Sequence, residues 1–342
     1  MSNPLYTHLR RLWLRYRPRH GRYFDYAAEK DIYYCYRLLL HREPDPAGLQ
    51  MLRTQVLDQG ITIQALVDGF LNCEEFLALR QRLAEPQLVS LPHFQIYARP
   101  ADYFIGGAII RDQVYEPHIT RLLTDLLRPG HTFIDVGANI GYFTLLAAAL
   151  VGEPGRVIAF EPNPQNCELL RRSIAANAFG NITLHQNAVA ETEAEFLFDT
   201  VGYSSNGRLL PGRGAGQPPG RAGQYPVQAV TLDHALSDLA QIDVIKIDAE
   251  GSEPRVLAGM ATILARHRPI ILTEFAPTMI EATSQTAPLA YLQQLSRTHR
   301  LHLINDKEGI APTPLPTADL PGFCARLGDR QEAHADLIAY PA

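Results

Sequence analysis

The stretch Thr132-Phe-Ile-Asp-Val-Gly-Ala-Asn-Ile-Gly-Tyr-Phe143 constrains the fold more than any other part of this chain. Residues of strand character lead into Asp135, a turn holding Gly137, Asn139 and Gly141, and then a helical pattern, which predicts strand, tight turn and helix as one unit. A glycine turn lets backbone approach a ligand closely, and the start of a helix offers unpaired N–H groups. The ligand class this suits is a nucleotide-like cofactor.

What is missing narrows the class. The dinucleotide fingerprint needs glycine at its first, third and sixth positions, and counting from Gly137 puts Asn139 and Tyr142 at the latter two. Pyrophosphate therefore has no obvious cradle. The run Val157-Ile-Ala-Phe-Glu-Pro162 reads as the next strand with Glu161 at its end, where a carboxylate can accept hydrogen bonds from two ribose hydroxyls. Aspartate before the first glycine, the Gly-x-x-x-Gly spacing and an acid ending the second strand together resemble the S-adenosylmethionine site of a class I methyltransferase.

The 342 residues suffice for one sizeable core plus a small second domain, and 46% hydrophobic content is ordinary for a folded chain. A net charge of −5 argues against a broad nucleic-acid surface. Cys35, Cys73, Cys167 and Cys324 are widely spaced, show no zinc-ligand patterning, and read as reduced structural thiols. No apolar run is long enough for a membrane span and no signal peptide is evident, so the expectation is a cytoplasmic protein. Asn181-Ile-Thr183 matches a glycosylation sequon and reads as polar residues at a strand start.

Residues 1–28 form a basic segment in which six arginines between residues 9 and 22 accompany Leu9, Leu12, Trp13 and Tyr16. The spacing predicts a surface-lying helix, docked on its own protein or peripherally on an anionic membrane at the cytoplasmic face. From Asp31 to about Leu88 the pattern is helical, with turns at His41–Gly48 and Asp58–Gly60, and residues 29–90 are expected to be a small all-α domain. Tyr36-Arg-Leu-Leu-Leu-His-Arg-Glu-Pro-Asp-Pro-Ala-Gly-Leu49 and Cys73-Glu-Glu-Phe76 resemble a helical domain of unknown function found beside carbohydrate-modifying enzymes in bacteria. Cys73 stands where that family usually has serine. Residues 91–342 alternate strand and helix, which predicts a doubly wound α/β sheet, mostly parallel, with Thr132–Val136, Arg156–Phe160, Ile182–Asn187, Val244–Ile247 and Ile270–Thr273 as strands. Arg300–Ile304 and Ala335–Tyr340 are expected as an antiparallel edge hairpin. Between Thr200 and Gln228 the chain is rich in Gly, Pro, Ser and Arg, and reads as a loop, either a solvated insertion or a substrate lid.

Val244-Ile-Lys-Ile-Asp248 reads as a buried strand whose alternation puts Lys246 and Asp248 on one face. A buried lysine requires a carboxylate partner. Asp248, Glu250 and Glu274 should converge outside the carboxyl ends of adjacent strands, where open α/β sheets bind ligands. His185 precedes its strand's end and reads as structural, and no metal-ligand set is evident.

With Tyr115-Glu-Pro117, Asp135–Thr144, Phe160-Glu-Pro162, Val230-Thr-Leu-Asp233, Lys246-Ile-Asp-Ala-Glu-Gly-Ser-Glu253 and Glu274-Phe275, the chain resembles FkbM-family methyltransferases over roughly residues 100–340. The resemblance implies methyl transfer from S-adenosylmethionine to a hydroxyl of a carbohydrate, glycolipid or related natural product. It implies that Asp135, with Gly137, Ala138, Asn139, Gly141 and Tyr142, organises the turn and the methionine amino group, with Glu116 beside it. Glu161 would serve the ribose and Asn187 or Ala188 the adenine edge, with Asn163 also among the cofactor-binding residues. Asp248, Glu250 and Glu274 are then base or substrate-orienting residues, Asp248 ranked first and also adjoining the cofactor. A nicotinamide oxidoreductase, disfavoured by Asn139 and Tyr142, and a catalytically silent glycan- or partner-binding module are the alternatives. Arg208, Arg213 and Arg221 leave the acceptor open, and the oligomeric state is not legible.

Overall fold

The computed structural model describes residues 25–200, 207–210, 220, 222–305, 311–328 and 334–342. The basic stripe around Trp13, together with Arg213 and Arg221, lies outside them. Among the described residues no helix is long and apolar enough to cross a membrane. The chain divides into two units, residues 1–85 and 86–342.

The first unit holds α-helices Glu29–Leu39, Pro46–Arg53, Ile63–Leu71 and Glu74–Ala84, with a π-helical turn Thr54–Gln59 closed by Gly60. Their starts follow from side chains that accept the first free N–H groups: Asp45 from Gly48, Thr62 from Ala65, and the Cys73 sulfur from Phe76 at 3.4 Å. Cys73 thus takes the N-cap position of the helix Glu74–Ala84. Ile32, Tyr36, Val56, Leu66 and Phe70 form the unit's core.

In the second unit β1 (Gln87–Ser90) and β2 (Gln95–Ala98) form an antiparallel hairpin where the periodicity suggested that helix continues to Leu88. The parallel strands β3 (Thr132–Val136), β4 (Arg156–Phe160) and β5 (Ile182–His185) follow, the last ending before Asn187. Then come β6 (Ala188–Val189), β7 (Glu195–Thr200), β8 (Gly207–Leu209) and β9 (Gln224–Val230), which make a four-stranded sheet in the order β6-β9-β7-β8. The span read as one loop from Thr200 to Gln228 therefore contains strand at both ends. Its short antiparallel strands carry Gly, Pro and Gln at ladder positions and so show no regular alternation.

The chain closes with β10 (Val244–Ile247), β11 (Ile270–Phe275), β12 (His299–Leu303), β13 (Thr313–Pro314) and β14 (Ala335–Pro341). The main sheet runs β13-β12-β14-β11-β10-β3-β4-β5, with β14 antiparallel between β11 and β12. This is the class I methyltransferase arrangement, a doubly wound parallel sheet with an antiparallel edge. Alternation along the strands builds two cores. Phe133, Val157, Val244, Leu272 and Ile338 pack on one face, and Ile134, Ile158, Ile245, Ile271 and Leu337 on the other. Burying each such side chain contributes about 1.5–3 kcal/mol, so a register slip would be prohibitive. The order reverses between β3 and β10, opening a crevice at their carboxyl ends.

Candidate active site

A cavity of about 150 Å³ fills that crevice. Of the residues expected to bind a cofactor, Glu116, Gly137, Ala138, Asn139, Tyr142, Glu161, Asn187, Ala188 and Asp248 line it, as do Glu250 and Glu274. Asp135, Gly141 and Asn163 do not. Asp135 lies beneath the turn, 1% exposed, where its Oδ2 accepts from the Thr144 hydroxyl at 2.6 Å and its Oδ1 has no hydrogen-bond partner. Asn163 caps the helix Pro164–Ala176 by accepting from Gln165 N–H at 2.9 Å.

The glycine turn works differently from the expectation. Gly137 (φ +83°) leaves space for the Asp248 carbonyl oxygen, which a Cβ would meet at 1.8 Å, and Gly141 (φ +92°) leaves space for Leu170. Both clear the fold's own atoms. The N–H groups expected to face a ligand are also taken: those of Gly137 and Ala138 donate to the Phe160 carbonyl, Gly141 to Ala138, and Ile140 to the Asn139 side chain. The Asn139 N–H donates to Glu161 Oε2 at 2.7 Å, and Asn163 N–H to Glu161 Oε1 at 2.7 Å. From Gly137 to Gly141 every backbone donor has a protein partner, so this turn is no phosphate cradle.

Acids dominate the cavity. Glu116, Glu161, Asp248, Glu250 and Glu274 line it, and among the described residues Lys246 is the one lysine in its walls. Lys246 Nζ donates to Asp248 Oδ2 at 2.8 Å and sits 4.9 Å from the centre of the Phe143 ring. Burial lowers its pKa, but Asp248, Asp135 and Glu116 outweigh that and hold it above the ordinary lysine value. Burial, with Asp248 nearby, raises Glu250 and Glu274, and burial also raises Glu116 against the pull of Lys246. Burial pushes Glu161 up to about 7 despite its two backbone donors. His185 stacks on Phe160 at 4.8 Å, 14° from parallel, a packing role.

Sequence reasoning missed part of the wall. Phe198, Gly207 and Leu209 come from the four-stranded sheet, and Ile105 from the segment before the helix Gly106–Asp112. The short apolar run Phe196-Leu-Phe198, bounded by Glu195 and Asp199, was the available signal for the first of these.

Glu253, just outside the cavity, offers a test of the site's electrostatics. Its Oε1 accepts from Ala249 and Gly251 N–H, its Oε2 is buried without a partner, and burial pushes it up to about 7 from 4.5. A carboxyl raised in the folded state costs stability as pH rises through the interval between unfolded and folded values. Glu253→Gln keeps an acceptor oxygen and removes the charge. Its melting temperature relative to the parent should climb between about pH 4.5 and 7 and then level off. A difference independent of pH would show that Glu253 does not titrate in this interval.

Residues 135–299 match the family described as Methyltransferase FkbM domain. This chain carries an FkbM methyltransferase domain. The 31-O-demethyl-FK506 methyltransferase FkbM of Streptomyces tacrolimicus is 29% identical over 191 residues, 46% of this chain and 68% of that protein. The hexuronic acid methyltransferase AglP of Haloferax volcanii is 26% identical over 157 residues, 45% of this chain and 60% of that protein. The chain thus spans less than two thirds of the archaeal relative's length. A solved FkbM methyltransferase from Methylobacillus flagellatus KT superposes with a TM-score of 0.39 at 16% identity, covering 90% of this chain and 58% of its own.

The cofactor of such an FkbM domain is S-adenosylmethionine, and the residues present fit it. A wall of carboxylates suits a ligand with a sulfonium, an ammonium and two ribose hydroxyls, whereas a turn with spent donors suits no pyrophosphate.

Proposed function

We propose that the chain is an S-adenosylmethionine-dependent O-methyltransferase acting on a hydroxyl of a carbohydrate, glycolipid or related natural product. The observation that carries this reading is the acid-lined cavity beside a glycine turn whose backbone donors are all occupied. The names of the two relatives, one a hexuronic acid methyltransferase and the other a 31-O-demethyl-FK506 methyltransferase, support an oxygen acceptor of this class.

Bound S-adenosylmethionine supplies an electrophilic methyl group. Glu161, at the end of β4, would accept from ribose hydroxyls through the lone pairs its backbone donors leave over. Asn187 and Ala188 would flank the adenine, and Glu116 with Asp248 the positive groups. The apolar wall of Ile105, Phe143 and Leu209 excludes water and so strengthens those charge contacts. An alcohol must lose its proton as the new bond forms, and a positioned base contributes roughly 10²–10⁴-fold. Asp248, ranked first from sequence, is engaged by Lys246, so Glu250 and Glu274 are the acids left to take that proton.

Glu161→Gln should weaken S-adenosylmethionine binding by about 1.5–3 kcal/mol, the value of charge-assisted hydrogen bonds. Calorimetry on a variant whose thermal unfolding remains cooperative checks this, with NADH as the competing ligand. Parent-like affinity in the variant would remove Glu161 from the cofactor site. Tight NADH binding by the parent, with none for S-adenosylmethionine, would replace the transferase reading with an oxidoreductase.

A further inference from the structure

Glu274 and Asp336 stand directly opposite each other in the β11–β14 ladder, so their side chains leave the same face of the sheet. Like charges in that position destabilise a sheet. Both residues line a narrow pocket with Glu116, Lys246 and Asp248, and Glu274 also lines the main cavity. Asp248, Glu250 and Glu253 add to the field at Glu274, and Lys246 is bound to Asp248. Tyr115 adjoins Glu116, and His334 Nδ1 is 4.0 Å from Glu274 Oε1. On the far side of Asp336, His118 Nε2 lies 2.8 Å from its Oδ2, which ties Asp336 to the helix Pro117–Leu126. Burial, with Asp248, Glu250, Glu253 and Asp336 around it, pushes Glu274 up to about 10.

We propose that Glu274, set opposite Asp336 in the ladder, carries a proton in the ligand-free protein, releases it when a cationic ligand fills the cavity, and recovers a proton from the acceptor hydroxyl during methyl transfer. The proposal rests on the S-adenosylmethionine reading above. On entry, the ligand's positive charge takes the place of the proton, since both neutralise the same carboxylates. In the transfer the hydroxyl oxygen gains the methyl carbon, the S–C bond breaks with its electron pair left on sulfur, and the O–H proton passes to the Glu274 carboxylate. The sulfur is then an uncharged thioether, and the site regains the charge it had before binding. Glu274 faces the cavity and is the base. Asp336 acts through it as a positioning residue.

Calorimetric titration of the full chain with S-adenosylmethionine and with S-adenosylhomocysteine, in buffers of different ionisation enthalpy near neutral pH, counts the protons exchanged. S-adenosylmethionine should release about one proton more than S-adenosylhomocysteine. Glu274→Gln and Asp336→Asn should each bind S-adenosylmethionine with that excess abolished, and His334→Asn should retain it. Equal proton counts for the two ligands in the parent overturn the proposal without any variant. Loss of the excess in His334→Asn also overturns it, by placing the proton on the imidazole. Binding of neither ligand would overturn the cofactor reading, and this proposal with it.

Discussion

Gly137→Ala is expected to destabilise the methyltransferase unit by about 3–6 kcal/mol, from left-handed strain plus forced repacking of buried backbone. The added Cβ would lie 1.8 Å from the Asp248 carbonyl oxygen and 2.9 Å from its carbon. Neither atom can move away cheaply, because the Asp248 N–H is bonded to the Val136 carbonyl at 3.0 Å, where β3 and β10 end together. Gly130→Ala is the control. Its φ is similar, +89°, with no atom within 4 Å of the new Cβ, so strain alone applies and the loss should be about 1 kcal/mol. Urea unfolding of both variants separates clash from strain. A Gly137→Ala protein with the parent's midpoint and reduced cofactor affinity would restore the view that this glycine makes way for a ligand.

Lys246→Met should cost about 3–5 kcal/mol at alkaline pH and distinctly less in mild acid. Lys246, 6% exposed, is the cation set against Asp248, Asp135 and Glu116, and the methionine that replaces it keeps the apolar stem while leaving those acids uncompensated. Without the ammonium, the folded state holds the buried Asp135 and Glu116 carboxyls still further above their ordinary values, so it binds more protons than the unfolded chain, and stability must fall as pH rises. Adding Asp248→Asn to Lys246→Met should recover part of the loss, since one unpaired charge goes with it. Denaturant unfolding at both pH values checks the sign, and a loss of equal size in acid and alkali would assign the effect to packing against the Phe143 ring.

The strands that build the sheet's centre were legible residue by residue. Thr132–Val136, Arg156–Phe160 and Val244–Ile247 have the bounds the pattern indicated, because strands buried on both faces need unbroken apolar runs. Glu161 and the three acids Asp248, Glu250 and Glu274 were legible too, because the ends of such strands are where polar residues interrupt the run, and all four line one cavity. The pairing of Lys246 with Asp248 followed from alternation and the cost of a buried ammonium.

Other features depended on partners distant in the chain. Sequence marked Gly137 as a position that must lack a Cβ, but only the packing of β3 beside β10 showed that the Asp248 carbonyl fills the space. Sequence marked Asp135 as a cofactor-site residue, but the fold turned its carboxylate towards Thr144, away from the cavity wall. Phe198, Gly207 and Leu209 were hidden because short strands of a partly exposed sheet carry a weak period. Asp336 was unreadable as a neighbour of Glu274, since β14 inserts between β11 and β12 and only that register sets the two opposite each other. The sequence by itself determined which segments are buried strands and where their acids fall, because burial acts on each segment's own periodicity. Which atoms those acids face was decided by tertiary pairing, because hydrogen-bond register and close approach join residues far apart in the chain.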